Sequence, residues 1–296
     1  MKGGGARERL VDPMCSGEGA ISNADFGRLR SLIYQQSGIN LNAEKKTMLE
    51  LRIKRRLKKL KLTSFSEYCA YLFGRQGQKD EIVHLLDVVS TNKTDFFREP
   101  GHFDYLMNKA LPELVARDRF DRQMLVWSAG CSTGEEPYTL AMVMSEFAQA
   151  HPGFQFGILA TDISTAVLDK AKVGIFNQDS VKTVPQALRR KYFMRSRDRS
   201  SNLLRVVPEL RQTIEFRRLN FMDADYGITK KASAIFCRNV IIYFDKPTQK
   251  RILQKLTRHL LPGGYCFVGH SETLHGMDLP LLPVGPSLYR RVDAEW

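Results

Sequence analysis

The chain lacks any C-x-x-C pair: its five cysteines, Cys15, Cys69, Cys131, Cys237 and Cys266, are scattered and odd in number. That pattern excludes a disulfide framework and reads as reduced thiols in a cytoplasmic protein. Metal-ligand spacing is missing as well. The six histidines are dispersed, and His270 and His275 are too far apart to share a helix face, so no metal is expected. No apolar run reaches the roughly 20 residues that cross a bilayer as a helix. The basic N-terminal residues are not followed by the apolar core of a secretory signal, and membrane insertion is not expected. Acidic residues are scarce: 32 Asp and Glu against 45 Lys and Arg in 296 residues leave a net charge of +13. Such a surplus calls for an acidic partner, whether nucleic acid, a membrane surface or a protein.

What the chain does have is concentrated in residues 124–136, MLVWSAGCSTGEE. Residues 124–127 form a short apolar run of buried-strand type. Gly130 and Gly134 punctuate a tight turn around Ser132, and a helix starts at Glu135, with Pro137 tolerated in its first turn. Strand, Gly-rich turn and helix bring backbone close to a nucleotide-like ligand in α/β folds. The G-x-S-x-G spacing is shared with a hydrolase nucleophile elbow and with a plain tight turn. The two carboxylates after the turn oppose a pyrophosphate and suit a cationic or hydroxyl-bearing ligand. An S-adenosylmethionine pocket fits that description better than an NAD pocket.

Around this stretch the chain falls into three parts. Residues 1–20, rich in Gly and polar residues, read as a disordered tail. Residues 21–90 read as a helical domain. Phe26, Leu29, Ile33 and Tyr34 recur at helical spacing before Gly38, and further helical patterns cover 43–61, 65–73 and 79–89. In the second of these, Leu49, Ile53, Leu57 and Leu60 make an apolar stripe. Lys45, Lys46, Arg52, Lys54, Arg55, Arg56, Lys58, Lys59 and Lys61 crowd the other positions, with Glu50 as the single acid between Lys45 and Lys61. A charge run is commonly just a solvated face; the missing acids point instead to a docking surface for something acidic. Residues 90–100, STNKTDFFREP, are a polar linker carrying paired aromatics and Arg98.

Residues 91–296 alternate helix and strand, the pattern of a doubly wound α/β sheet. A helix over 103–116 leads to the strand at Met124. Strand 156–161 ends at Asp162, placed either to take ribose hydroxyls or to N-cap the helix starting near Ser164. Residues 176–218, with a basic helical piece at 186–193 and β-rich segments near 204–207 and 213–216, read as an inserted β-subdomain at about 177–218. Strand 232–238, an amphipathic helix over 246–260 stopped by Pro262-Gly263-Gly264, and strand 265–268 follow. Residues 287–292 close the sheet antiparallel.

The Gly-rich turn, the second-strand acid and the late L-P-G-G turn, in this order, resemble the class I S-adenosylmethionine-dependent methyltransferases. More narrowly, TNKTDFFRE at 91–99, WSAGCSTGEEPYTLAM at 127–142, ATDIS at 160–164, IFCRNVIIYFDKPTQ at 235–249 and Gly269-His270-Ser271-Glu272 resemble the chemotaxis receptor glutamate methyltransferases of the CheR type. The resemblance covers nearly the whole chain from about residue 22. It implies a substrate-recognition role for the helical domain, S-adenosylmethionine as cofactor with S-adenosylhomocysteine as product, and the acidic methylation helices of a chemoreceptor's cytoplasmic domain as partner. Asn92, Thr94 and Arg98 would line the cofactor from the linker and Gly130 from the turn. Glu136 with Glu135 would hold the cationic amino end and Asp162 the ribose. Asn220 and Phe221 would flank the adenine, and Arg238 and Asn239 the lip of the fourth strand. Arg98 and Tyr243 would orient the acceptor, and Arg52, Arg55, Arg56 and Lys59 would meet the acidic substrate. Other readings stay open for some of these: core packing for Tyr243 and Phe244, structural ion pairs for Arg98 and Arg238.

The resemblance also sets the chemistry. A side-chain glutamate is ionised at neutral pH, so its methylation needs placement and no general base. An arginine fork holds a carboxylate bidentately. One departure is that residues 195–202 lack the glycines of relatives that tether a receptor's C-terminal peptide. A nucleic-acid methyltransferase would also account for the charge of +13. Base-amino methylation, however, usually shows an Asn/Asp-Pro-Pro-aromatic motif where this chain reads Arg238-Asn239-Val240-Ile241.

Overall fold

The computed structural model describes residues 19–117, 123–198 and 200–292; most of the expected tail, 1–18, lies outside them. The described chain gathers into two compact units, one running to Leu32 and resuming over Asn42–Val89, the other made of Ile33–Leu41 and the chain from Ser90 onward. Helix α1 (Asn23–Ser37) starts in the first unit and its last turns belong to the second; in the first, a 3₁₀ turn (Ala43–Lys45) feeds α2 (Lys46–Leu60), α3 (Phe65–Phe73) and α4 (Arg75–Val89). Leu49, Ile53 and Leu57 are fully buried, so the apolar stripe of α2 is its packed face. Helix α3 is capped by Ser64, whose Oγ accepts from the Glu67 N–H, and α2 ends on Lys61 in a left-handed conformation.

In the second unit, the helix predicted over 103–116 is broken into α5 (Gly101–Tyr105), a π-helical turn (Leu106–Ala110) and α6 (Leu111–Arg117). Pro112 explains the irregularity, because it brings no N–H to the helical ladder. Then come β1 (Met124–Ala129), α7 (Glu135–Ala150), β2 (Phe156–Asp162), α8 (Thr165–Val173), β3 (Ile175–Asn177), α9 (Gln186–Tyr192), β4 (Phe193–Arg195) and β5 (Leu203–Val206). The chain continues through α10 (Pro208–Arg211), β6 (Ile214–Arg218), β7 (Ala232–Cys237), a 3₁₀ turn (Ile241–Tyr243), α11 (Lys246–Arg258), β8 (Leu260–Val268), β9 (Leu281–Gly285) and β10 (Leu288–Arg291).

Seven strands form one sheet in the order β6-β2-β1-β7-β8-β10-β9. The first five are parallel and the last two antiparallel. This is the doubly wound α/β sheet that the alternation of elements predicts. Period-two alternation gives it two buried faces. Val126, Ala234 and Phe236 join the core under α7 and α6, and Trp127, Ile235 and Cys237 join the core under α11. A separate three-stranded antiparallel sheet, β3-β5-β4, lies in the chain between β2 and β6. Strand β6 does not belong to it: Ile214–Arg218 pairs in parallel with β2, register Ile158 to Ile214, at the edge of the large sheet. As expected, β10 runs antiparallel to β8. The outermost strand is β9, which has no alternating signal in the sequence.

Candidate active site

In open α/β sheets the ligand crevice lies beyond the carboxyl ends of the strands, where the winding reverses. Here that point is β1, which has β2 on one side and β7 on the other. The turn after β1 is tightly fixed. Gly130 and Cys131 donate their N–H groups to Thr161 O at 2.8 and 2.9 Å. Gly130 sits at φ +90, and a Cβ there would stand 2.5 Å from Val240 Cγ2, so the backbone approaches the turn after β7 as only glycine permits. Ser132, itself at φ +50, donates its N–H to Asp162 Oδ2 and its Oγ–H to Asn92 O, both at 2.9 Å. The other oxygen of Asp162 accepts from the Ser164 N–H at 2.9 Å. Asp162 therefore bridges the ends of β1 and β2. It is not the N-cap of α8; that position is held by Ser164, which accepts from Val167.

The two acids that open α7 differ. Glu135 is buried, and Thr133 Oγ1 donates to its Oε2 at 2.6 Å. Burial pushes its carboxyl above the ordinary range. Glu136 is spoken for at both oxygens, by Ser128 Oγ at 2.7 Å and Arg238 Nη1 at 3.1 Å. Arg238 is buried, and its Nη2 donates to Glu99 Oε2 at 3.0 Å and to the carbonyl of Arg98. Arg238 is thus an internal clasp between α7, β7 and the linker rather than an open ligand contact. Burial raises the Glu99 carboxyl, and the Arg238 charge more than offsets this, leaving it lowered. His102, which is buried, is depressed to about 4 by burial and by Arg238. Glu99, His102 and His270 bring three donor atoms within 4.8 Å of one another. Arg238 already occupies the Glu99 carboxylate, however, and its charge opposes a second cation there.

The linker is bent by two non-glycine residues in the left-handed region, Phe97 at φ +53 and Glu99 at φ +57. Between them Arg98 is half-buried, its Nη1 donating to Lys93 O at 3.2 Å. Asn92 and Thr94 are also half-buried. After β7, Asn239 adopts φ +58 and donates Nδ2 to Glu99 Oε1 at 3.4 Å. Asn220 Nδ2 donates to Gln36 O at 2.6 Å and its Oδ1 accepts from the Met222 N–H. Phe221 packs on Tyr226 and Phe244. Tyr243 is half-buried and its carbonyl accepts from the Asn40 N–H at 2.9 Å; it is Phe244 that is buried in the core.

Hydrogen bonds thus join Asn92, Asp162 and the turn at Gly130 into one group, and Glu136, Arg238, Asn239 and the Arg98 backbone into another. Asn220 and Tyr243 share a third support, the segment 36–40. That segment, Glu99 and Glu272 are structural contributors the sequence did not single out by role. Gly38 at φ +74, where a Cβ would stand 2.7 Å from Met222 Sδ, is the one visible signal for the segment.

The basic helix is corrected in one respect. Arg56 does not face solvent: its Nε and Nη2 donate to Glu81 Oε1 and Oε2 at 2.8 and 2.6 Å, and both residues are buried. Tyr68 Oη donates to the same carboxylate at 3.1 Å. Arg56 stands beside Ile53 and Leu57 on the packed face, which a helical wheel drawn for apolar residues alone omits. Arg52 is half-buried and caps α4, donating to the carbonyls of Val88 and Val89. Arg55 and Lys59 are exposed, as expected.

Sheet order, glycine turn and switch-point acids define a class I methyltransferase fold. The family described as "CheR methyltransferase, SAM binding domain" matches residues 92–283, and "CheR methyltransferase, all-alpha domain" matches residues 24–90. The chain belongs to the CheR methyltransferases, and its cofactor is S-adenosylmethionine. It is 38% identical to a chemotaxis protein methyltransferase of Borreliella burgdorferi, over 92% of this chain and 95% of the relative. A chemotaxis protein methyltransferase 2 of Pseudomonas aeruginosa is 39% identical over 90% and 92%. A chemotaxis protein methyltransferase of Escherichia coli is 39% identical over 91% of both chains.

Proposed function

We propose that the chain methylates glutamate side chains of chemoreceptors, with Glu135 and Asp162 holding the cofactor and Arg98 and Tyr243 orienting the acceptor. The observation that carries this reading is the pair of buried switch-point carboxylates on a turn with no cationic side chain for a phosphate. The residues fit S-adenosylmethionine: the buried Glu135 carboxylate suits an ammonium group, and Asp162, at the end of β2, suits a ribose hydroxyl. Glu136, committed to Ser128 and Arg238, acts from behind the site. The cofactor supplies a methyl group on a sulfonium centre, open to in-line displacement. Asn92, Thr94, Gly130, Asn220, Phe221 and Asn239 complete the wall around it.

An ionised glutamate is already a nucleophile, so the chain's part is to hold it in line and to exclude water. Arg98 takes one carboxylate edge by its planar fork, and the Tyr243 hydroxyl orients the acceptor without neutralising it. Arg55 and Lys59, with Arg52 in part, offer positive charge to the acidic methylation helices. Incubation with radiolabelled cofactor and a chemoreceptor cytoplasmic fragment is expected to leave base-labile methyl on the fragment. Arg98→Ala and Tyr243→Phe should lower turnover far more than affinity for S-adenosylhomocysteine. Absence of base-labile label on the fragment would overturn the reading.

A further inference from the structure

Glu272 is an acid that neither the cofactor nor the acceptor assignment uses. It lies four residues beyond β8 and is 5% exposed. Its Oε2 accepts from the Asn239 N–H at 2.8 Å and the Gly269 N–H at 2.6 Å, and its Oε1 from the Ile242 N–H at 3.3 Å. A further backbone hydrogen bond comes from Ile241. A carboxylate this deep is costly unless its lone pairs are filled. Here backbone N–H groups from the ends of two adjacent strands fill them. The close approach is built in: a Cβ on Gly269 would stand 2.5 Å from Asn239 Nδ2 and 2.9 Å from Glu272 Oε2.

The donors are the backbone of the turn that matters most after β7. Asn239 is held at φ +58, a conformation a non-glycine residue keeps only when its surroundings impose it. Ile242 is the residue before Tyr243 in the 3₁₀ turn. Without Glu272, N–H groups at both ends of the segment 239–242 would lose their acceptor, and nothing else described bonds the Ile242 N–H.

We infer that Glu272 is a positioning residue for methyl transfer: its carboxylate clamps the turn 239–243 and so sets where Tyr243 stands against the acceptor. This rests on the proposed role of that turn at the site. Both oxygens are needed. A glutamine supplies one acceptor oxygen and turns its NH₂ group toward backbone N–H groups that the second carboxylate oxygen served.

The test uses the full chain with a chemoreceptor cytoplasmic fragment. Glu272→Gln should lower kcat by about tenfold or more while affinity for S-adenosylhomocysteine, read by calorimetry, changes by less than about threefold. Combined with Tyr243→Phe, its effect should be non-additive, the double variant being little worse than the worse single one. An unchanged kcat with only a lower melting temperature, or fully additive losses, would overturn the inference. If Tyr243→Phe alone leaves kcat unchanged while Glu272→Gln lowers it, the clamp stands and the tyrosine assignment falls. A measurement on the unmodified protein guards against a variant that does not fold. The Asn239 and Ile242 amides should be protected from hydrogen exchange, and exchange at the rate of an open loop would overturn the clamp.

Discussion

Glu135 and Glu136 are neighbours in sequence with opposite assignments in the fold. Glu136 finds Arg238 and Ser128; Glu135 finds a threonine hydroxyl and burial. A spacing pattern marks both as acids at a helix start and cannot separate them, because the partner that decides lies 102 residues away. The raised Glu135 carboxyl has a consequence for stability. A group whose folded pKa lies above its unfolded value stabilises the fold at low pH, and that contribution is lost as pH rises through the folded value. At neutral pH the ionised Glu135 is therefore a burden on the ligand-free protein. Glu135→Gln should raise the melting temperature of the cofactor-free protein at pH 7, and the gain should vanish on acidification, where the native carboxyl is itself protonated. The same variant should bind S-adenosylhomocysteine about 10–100-fold more weakly, the worth of a hydrogen bond to a charged group at about 1.5–3 kcal/mol. Unchanged affinity, with or without the stability gain, would move the ammonium site elsewhere.

At the scale of elements, long periodic segments were legible and short ones were not. Helix α2 announces itself by Leu49, Ile53 and Leu57, and the strand-turn-helix at β1 by its apolar run and glycines. Strands β3 and β4 have three residues each, too few for an alternation to register. The pairing of β6 with β2 is a long-range choice that no local pattern encodes. The aliphatic stripe of α2 also conceals that Arg56 belongs to the packed face, because only the arrival of Glu81 from α4 makes burial of that charge tolerable. Two neighbouring substitutions separate these roles. Arg56→Glu would face Glu81 with a second buried carboxylate and should cost about 3–5 kcal/mol. Arg55→Glu, one residue away and exposed, should change stability by less than about 0.5 kcal/mol. Thermal denaturation of the two variants reads the difference directly, and equal losses would mean the Arg56–Glu81 pair contributes little.

For the molecule as a whole, the surplus of +13 is a property that fold alone does not require. On α2, Arg55, Lys58 and Lys59 remain exposed after the structure has claimed Arg56 for the core and Arg52 for the end of α4. These three are off the buried stripe, so their reversal leaves every hydrogen bond described for α2 intact. Like charges at such spacing repel by a few tenths of a kcal/mol per pair, a cost an acidic receptor surface would relieve. Reversing all three to Glu should accordingly leave the melting temperature and affinity for S-adenosylhomocysteine close to those of the unmodified chain, while methylation of a chemoreceptor fragment falls steeply through KM. The unmodified enzyme should show the same dependence from the other side. Its rate at limiting receptor should drop as salt is raised, since charges separated by more than about 10 Å are largely screened at 0.1 M ionic strength. Turnover at saturating receptor should change little, because the methyl-transfer site is built from buried groups that salt screens less. A triple variant that methylates receptor normally but no longer binds polyanions would assign the basic helix to a different acidic partner, and a salt-independent rate would remove electrostatic docking altogether.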